Sequence, residues 1–239
     1  MKRTAPLLLA SLLSLAGCAT STQARKVQAT SFLGDHKALL VPGKPEEDPL
    51  LVYRNPKANW NAYKQLVLEP IAIWGDPKHT LTDDQRHDLQ QVVDAFYATL
   101  RQKLSTYFEL VDRPGPGVLK AQVAIENSQQ GDTTLKVASK AVPYGSVASV
   151  AWIMITGKPA FVGEASIEYM IKDGDTGELL AAGADRRVGG DALSTEYLSS
   201  WGDVKNALDY WTDAAVYRVC LQRAGTGCVK PKVSLVPGS

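Results

Sequence analysis

Three histidines, three cysteines and two groups of carboxylates are the side chains from which this 239-residue sequence would have to build a reactive site. The histidines, His36, His79 and His87, are scattered, with no H-E-x-x-H pattern and no cysteine pair at zinc spacing, so they read as surface residues. Asp173, Asp175 and Glu178, in the stretch DGDTGE, faintly suggest a calcium loop, in which alternate carboxylates converge on one ion. Such a loop wants a ligand at 177 and a glycine at 178, whereas this chain has Gly177 and Glu178. Turn chemistry explains the stretch without an ion, because Asp and Gly tolerate the backbone angles of a tight hairpin. Glu164, Glu168 and Asp185 could pair as carboxylates across that hairpin, but solvated strand faces carry such residues routinely. A serine nucleophile on a tight turn needs G-x-S-x-G, and YGSVAS lacks the spacing. Gly157-Lys158 is followed by Pro159 where a phosphate loop needs Ser or Thr. The expectation is a protein that is not an enzyme, with no catalytic residue, no cofactor and no metal.

Cys18 is a different case. Lys2 and Arg3 give a positive start, Ala5 to Leu15 an apolar run of signal-peptide length, and Ala16-Gly17 small residues for cleavage. The run is too short to span a bilayer, which takes roughly 20 apolar residues. Leu15-Ala16-Gly17-Cys18 resembles the lipobox of bacterial lipoproteins, in which the cysteine thiol is acylated and the chain is cut just before it. That resemblance implies lipidation at Cys18, with Ala19, not aspartate, at the next position favouring the outer membrane and a periplasm-facing domain. Two or three acyl chains hold a protein far more firmly than one, each buried methylene contributing about 0.8 kcal/mol. Residues 1–17 are then the signal peptide, 18–31 a polar tether, and 32–239 one globular domain.

If Cys18 carries lipid, Cys220 and Cys228 remain as an even pair in an oxidising compartment. They frame CLQRAGTGC, where Gly225 and Gly227 let the chain reverse. Reversal can bring the two α-carbons within the roughly 4.4–6.8 Å that a disulfide needs, which a straight helix could not do at this spacing. A bridge between them is expected.

Charge narrows the partners. Loss of residues 1–17 removes Lys2 and Arg3 and leaves 24 basic against 25 acidic side chains. The basic residues are spread singly, with only Arg25-Lys26 and Arg186-Arg187 adjacent, so no basic stripe is available to displace counterions from nucleic acid.

The elements that would position any site follow from periodicity. Gln65 to Trp74 (QLVLEPIAIW) alternates like a strand. From Thr82 to Ser105, Leu89, Val93, Phe96, Leu100 and Leu104 fall on one helical stripe, with Thr82 and Gln85 spaced as a capping box. YFELVD reads as a short strand, and VLKAQVAIEN alternates Leu119, Ala121, Val123 and Ile125 with polar neighbours. FVGEASIEYMIKD and ELLAAGADRRVG flank DGDTGE as a hairpin. Ser200 to Arg223 places Val204, Leu208, Trp211, Ala215 and Val219 on one face of a closing helix. FLGDHKALL is a short apolar patch, VPGKPEEDP a loop, and SVASVAWIMITG, residues 146–157, is either buried core or an interaction segment. The sum is an α/β, or α+β, domain: a mainly antiparallel sheet covered by two amphipathic helices.

The strand ending in LEP, the PGPGVL turn, VPYG, TGKPAFVGEASIEY with DGDTGELLAA, and the closing WGDVKNALDYW together resemble domain-of-unknown-function 3313, a family of bacterial envelope lipoproteins, over roughly Phe32 to Cys228. The resemblance implies a lipoprotein with an α/β domain and brings no reaction with it. The leading functional expectation is a non-catalytic component of an envelope assembly that binds protein or envelope polymer, with a protein partner or self-association. A carrier of a small or lipidic ligand, with 146–157 and the tryptophans lining a cleft, and a cell-wall hydrolase are the other classes.

Overall fold

The computed structural model describes residues 21–45, 47–75, 83–127, 164–189, 202–223 and 225–232. Its frame is a nine-stranded, mostly antiparallel sheet. The strands are β1 (Ser21–Gln23), β2 (Val41–Pro42), β3 (Leu51–Arg54), β4 (Gln65–Leu68), β5 (Ala72–Gly75), β6 (Glu109–Leu110), β7 (Val118–Asn127), β8 (Glu164–Asp173) and β9 (Leu179–Gly189). Two long helices, α1 (Asp83–Leu104) and α2 (Gly202–Arg223), pack on one face. The spatial order is β2-β3-β9-β8-β7-β4-β6, with β1 pairing beside β3 on β9 and β5 beside β4 on β7. The two longest ladders, β7 with β8 and β8 with β9, are antiparallel, whereas β4 and β5 run parallel to β7. The mixed α/β class expected from the sequence is the one observed.

The helix stripe and the alternating strands meet as their periods require. Leu89, Val93, Phe96, Leu100 and Leu104 of α1 are all buried, against Leu119, Ala121, Val123 and Ile125 of β7. Val204, Ala207, Leu208, Trp211 and Ala214 of α2 join the same core. The hairpin β8–β9 turns through Asp173 to Glu178, with Gly177 at φ 74°, an angle that suits glycine. The other sheet face carries a smaller core, in which Leu33 of a 3-10 segment (Ser31–Leu39) packs on Met170, Leu179 and Ala182.

Four expectations about elements need correction. Gln65 to Trp74 is two strands, because Pro70 has no N–H for a ladder. Four chain steps from Leu68 to Ala72 face only three from Ala121 to Ala124, so the interruption is also a one-residue bulge. YFELVD shrinks to Glu109–Leu110, and the expected loop contains Val41–Pro42 paired with β3. From Ser21 the expected tether is part of the fold: Ser21–Gln23 pairs with Arg187 to Gly189. The expected signal peptide (residues 1–17), Cys18, His79, Thr82, residues 146–157 and Ser200 lie outside the described residues.

Candidate functional site

A cavity of about 230 Å³ lies between the helix-bearing face of the sheet and the undersides of α1 and α2. Its floor comes from β7 and β8, with Ala121, Val123, Ile167 and Tyr169, and its roof from Phe96 and Leu100 of α1 and Trp211, Ala215 and Val219 of α2. The inward parity of the strands dictates this lining, since residues two apart share a face. Gly183 of β9 leaves room for Tyr169 of β8: a Cβ on Gly183 would stand 2.7 Å from the tyrosine Cε1 and 2.8 Å from its Cζ and hydroxyl oxygen. The ring therefore lies across the glycine as part of the cavity floor. Burial raises the pKa of the Tyr169 phenol.

Asp185 also lines the cavity, opposite Ile167 in the β8–β9 ladder. It is 4% exposed and gathers donors from three other segments. Trp211 Nε1–H donates to Oδ2 at 2.7 Å, while Gln23 Nε2 at 2.9 Å and the Leu50 amide at 3.2 Å donate to Oδ1. Burial raises the pKa of the Asp185 carboxyl despite these bonds and the nearby positive charge of Arg187. Two residues along β9, Arg187 is fully buried, its guanidinium 3.4 Å from the centre of the Tyr210 ring. It donates to the hydroxyl and the carbonyl of Ser21 at 2.9 and 2.6 Å, which seats β1.

Glu168 points to the opposite face. It is 2% exposed and accepts from the Thr30 amide and, at 2.8 Å, from the Thr30 hydroxyl. Burial raises the pKa of the Glu168 carboxyl, the Thr30 bonds work against that rise, and Glu126 adds to it. The reading of Glu168 and Asp185 as residues of solvated strand faces is thus wrong. Both faces of this sheet are covered, and the two carboxylates lie on opposite sides of it, so they form no catalytic pair. The side chain of Glu164 lies outside the described residues.

The remaining sequence candidates fall into structural roles. Asp173 Oδ1 accepts from the amides of Asp175 and Thr176 and from the Thr176 hydroxyl, and Oδ2 from Tyr63 at 2.7 Å. Those bonds, the Thr176 amide foremost, hold the Asp173 carboxyl below its usual range, while burial and Asp173 push the Tyr63 phenol up to about 12. This is the bonding of a turn. His36 is half-buried, and exposed His87 bonds Gln91 on α1. Among the described residues no cluster of three or more His, Cys, Asp or Glu is placed to hold a metal. No described helix is long and apolar enough to cross a membrane. Cys220 and Cys228 form a disulfide with α-carbons 5.6 Å apart, Gly225 and Gly227 turning the chain at φ 70° and 73°.

The sequence reading offered a cleft lined by the tryptophans and residues 146–157. Trp60 and Trp211 do line the cavity, and residues 146–157 lie outside the described residues. What that reading missed is the cavity's place between sheet and helices and the burial of Asp185 and Arg187. One signal was present. Gly183, Asp185 and Arg187 share parity, so a strand that places a glycine on the helix side also places the two charges there.

No protein with a curated description matches the chain. Among solved structures, a single-substitution PelC dodecamer from Paraburkholderia phytofirmans is 12% identical, with a TM-score of 0.30, covering 66% of this chain and 91% of that one. A PelC dodecamer from the same organism is 13% identical at a TM-score of 0.29 with the same coverage. Likenesses this slight carry neither fold nor function to this chain. The family match covers residues 28–215, ending inside α2, short of the Cys228 limit read from the sequence. By that match the chain belongs to the family described as Protein of unknown function (DUF3313).

Proposed function

We propose that this protein is a lipid-anchored binding protein of the outer membrane, facing the periplasm, that holds the apolar part of a small or lipidic ligand in the cavity beneath α2 and catalyses no reaction. One observation carries the reading: a cavity of about 230 Å³ lined mainly by apolar and aromatic side chains. An engineered apolar cavity of roughly 150 Å³ stays dry and takes up benzene, so a space half as large again suits an aromatic ring or a short alkyl chain. The one carboxylate in the lining, Asp185, is committed to Trp211, Gln23 and Leu50, which supports binding over catalysis. The address rests on the lipobox-like Leu15 to Cys18. A role in an envelope assembly is compatible with such a carrier, whose partner would be another envelope protein or a second copy.

Native mass spectrometry of the protein isolated from cells tests the reading. A retained small molecule is expected in the wild type, and its loss in Ala215→Phe, which fills the cavity from α2. A wild-type mass with no adduct, or an adduct unaffected by the filling, would overturn it. For the address, Cys18→Ser should abolish palmitate labelling and leave an unprocessed or mislocalised precursor; unchanged labelling and membrane fractionation would sink that part.

A further inference from the structure

Three guanidinium groups and one carboxylate line the cavity: Arg54, Arg218, Arg223 and Asp185. Their surroundings differ. Arg54 is ion-paired with Asp48, and Asp185 already holds three hydrogen-bond donors with the Arg187 charge nearby. Arg218 donates to the Glu47 carbonyl at 2.9 Å. Its charge acts on Asp48, the same carboxylate that Arg54 pairs with. Arg223 donates to the Tyr63 carbonyl and lies 4.1 Å over the centre of the Phe108 ring. Among the described residues neither Arg218 nor Arg223 has a carboxylate at ion-pair distance. Each guanidinium has five N–H donors, and one carbonyl satisfies few of them.

Position makes the two charges relevant to a ligand. At 100° per residue, Trp211, Ala215, Val219 and Gln222 form the cavity-facing stripe of α2, and Arg218 and Arg223 fall on its two flanks. Both are half-buried, and the adjoining lining residues Arg54 and Gln222 are exposed, so this end of the cavity meets solvent. An apolar chamber with surplus cations at its solvent end is complementary to one kind of molecule. On the reading of the cavity as a ligand site, we infer that the ligand is an anionic amphiphile, its apolar body against Tyr169 and Trp211 and its oxyanion head, carboxylate or phosphate, held at the solvent-facing rim by Arg218 or by Arg223, one on each flank of α2. Guanidinium suits that head because its fork of donors matches two oxygens of either group.

Titration of the purified full chain with decanoate, decyl phosphate and decanol, followed by tryptophan emission, separates the possibilities, since Trp60 and Trp211 line the cavity. Either acid is expected to bind about tenfold tighter than the alcohol at low salt. The better of the two acids identifies the head group. The preference should fall away in Arg218→Gln/Arg223→Gln. It should also shrink in the wild type as salt is raised, a measurement that does not depend on the variant folding. Decanol binding as tightly as both acids at low salt would overturn the anionic head and leave the cavity reading standing. Absence of binding by all three would overturn both.

Discussion

The indole N–H of Trp211 reaches across from α2 to the Asp185 carboxylate of β9 at 2.7 Å. That bond lies where four segments meet, because Gln23 of β1 and the Leu50 amide ahead of β3 donate to the same carboxylate. Gln23 Nε2 also donates to the Asp48 carbonyl at 2.8 Å, tying the Asp48 loop to the same point. The cluster therefore fixes the helix that roofs the cavity, the floor beneath it and the N-terminal strand together. A buried carboxylate in such a place raises the folding cost unless every lone pair is met, so the donors around it act as a unit.

Replacing Trp211 by Phe removes that donor together with part of the indole's apolar contact, leaving Oδ2 of a buried carboxylate unmet; only the loss of the donor makes the penalty depend on pH. A loss of about 1–3 kcal/mol is expected at neutral pH, measured by denaturant unfolding. Removing a donor from the charged form raises the folded pKa of Asp185 further above its unfolded value. The penalty should accordingly be full above the raised folded pKa and shrink as pH falls toward the ordinary carboxylate range, where Asp185 is protonated in both states. An equal penalty at all pH values would mean that Asp185 is not the partner that matters.

Glu168 gives a pH test of the opposite face. Its folded pKa is raised, first by burial, so its ionised form weakens the fold as pH rises from the ordinary carboxylate value of 4.5 through the raised one. Gln at this position keeps an acceptor for the Thr30 amide, and the Thr30 hydroxyl can turn to accept from the new amide. Between about pH 4 and about pH 7 the melting temperature of the wild type should fall relative to Glu168→Gln. Asp48, Glu69 and Asp173, whose pKa values are lowered, act in the reverse sense in both proteins and cancel in the difference. Parallel profiles would show that Glu168 carries no such cost.

Much of this frame was legible from the sequence, and the parts that were not share a physical cause. Val118–Asn127 alternates because one strand face meets α1, and DGDTGE announces its hairpin through residues that accept positive φ. The helix stripe from Leu89 to Leu104 is visible because its other face is wet. β9 shows no alternation, because α2 covers one side and the Leu33 segment the other. Its charged residues then look like solvent-facing ones until Trp211, Gln23 and Ser21 are brought from far along the chain. Ser21–Gln23 itself is too short to show any period. Family membership was readable from the order of short motifs, whereas a cleft could be suggested from the tryptophans but not placed, since an unfilled space leaves no letter behind.

Gly183→Ala tests whether the cavity floor depends on a missing methyl group. The added Cβ would collide with the Tyr169 ring, whose packing on the sheet leaves it nowhere to go except into the cavity. A cost of about 1–3 kcal/mol is expected by overpacking. Tyr169→Leu should tolerate the same substitution better, giving a favourable coupling energy in the double-mutant cycle. Additive effects would place the strain elsewhere than in the Tyr169 contact.

The Cys220–Cys228 bridge anchors the last turn of α2, and with it Gln222 and Arg223 at the solvent end of the cavity. Closing a loop of this length removes unfolded-chain entropy worth about 2.5 kcal/mol. Cys220→Ser/Cys228→Ser or full reduction should therefore lower the melting temperature by roughly 5–10 °C for a domain of this size. Because Arg223 sits three residues from Cys220, the reduced protein should also lose part of its preference for decanoate over decanol, while the apolar lining contributed by β7 and β8 is untouched. Thiol titration of the denatured, unreduced protein checks the premise, with neither Cys220 nor Cys228 expected to react. Both thiols free in protein isolated without reductant would remove the staple, and the predicted link between the bridge and the Arg223 end of the cavity would go with it.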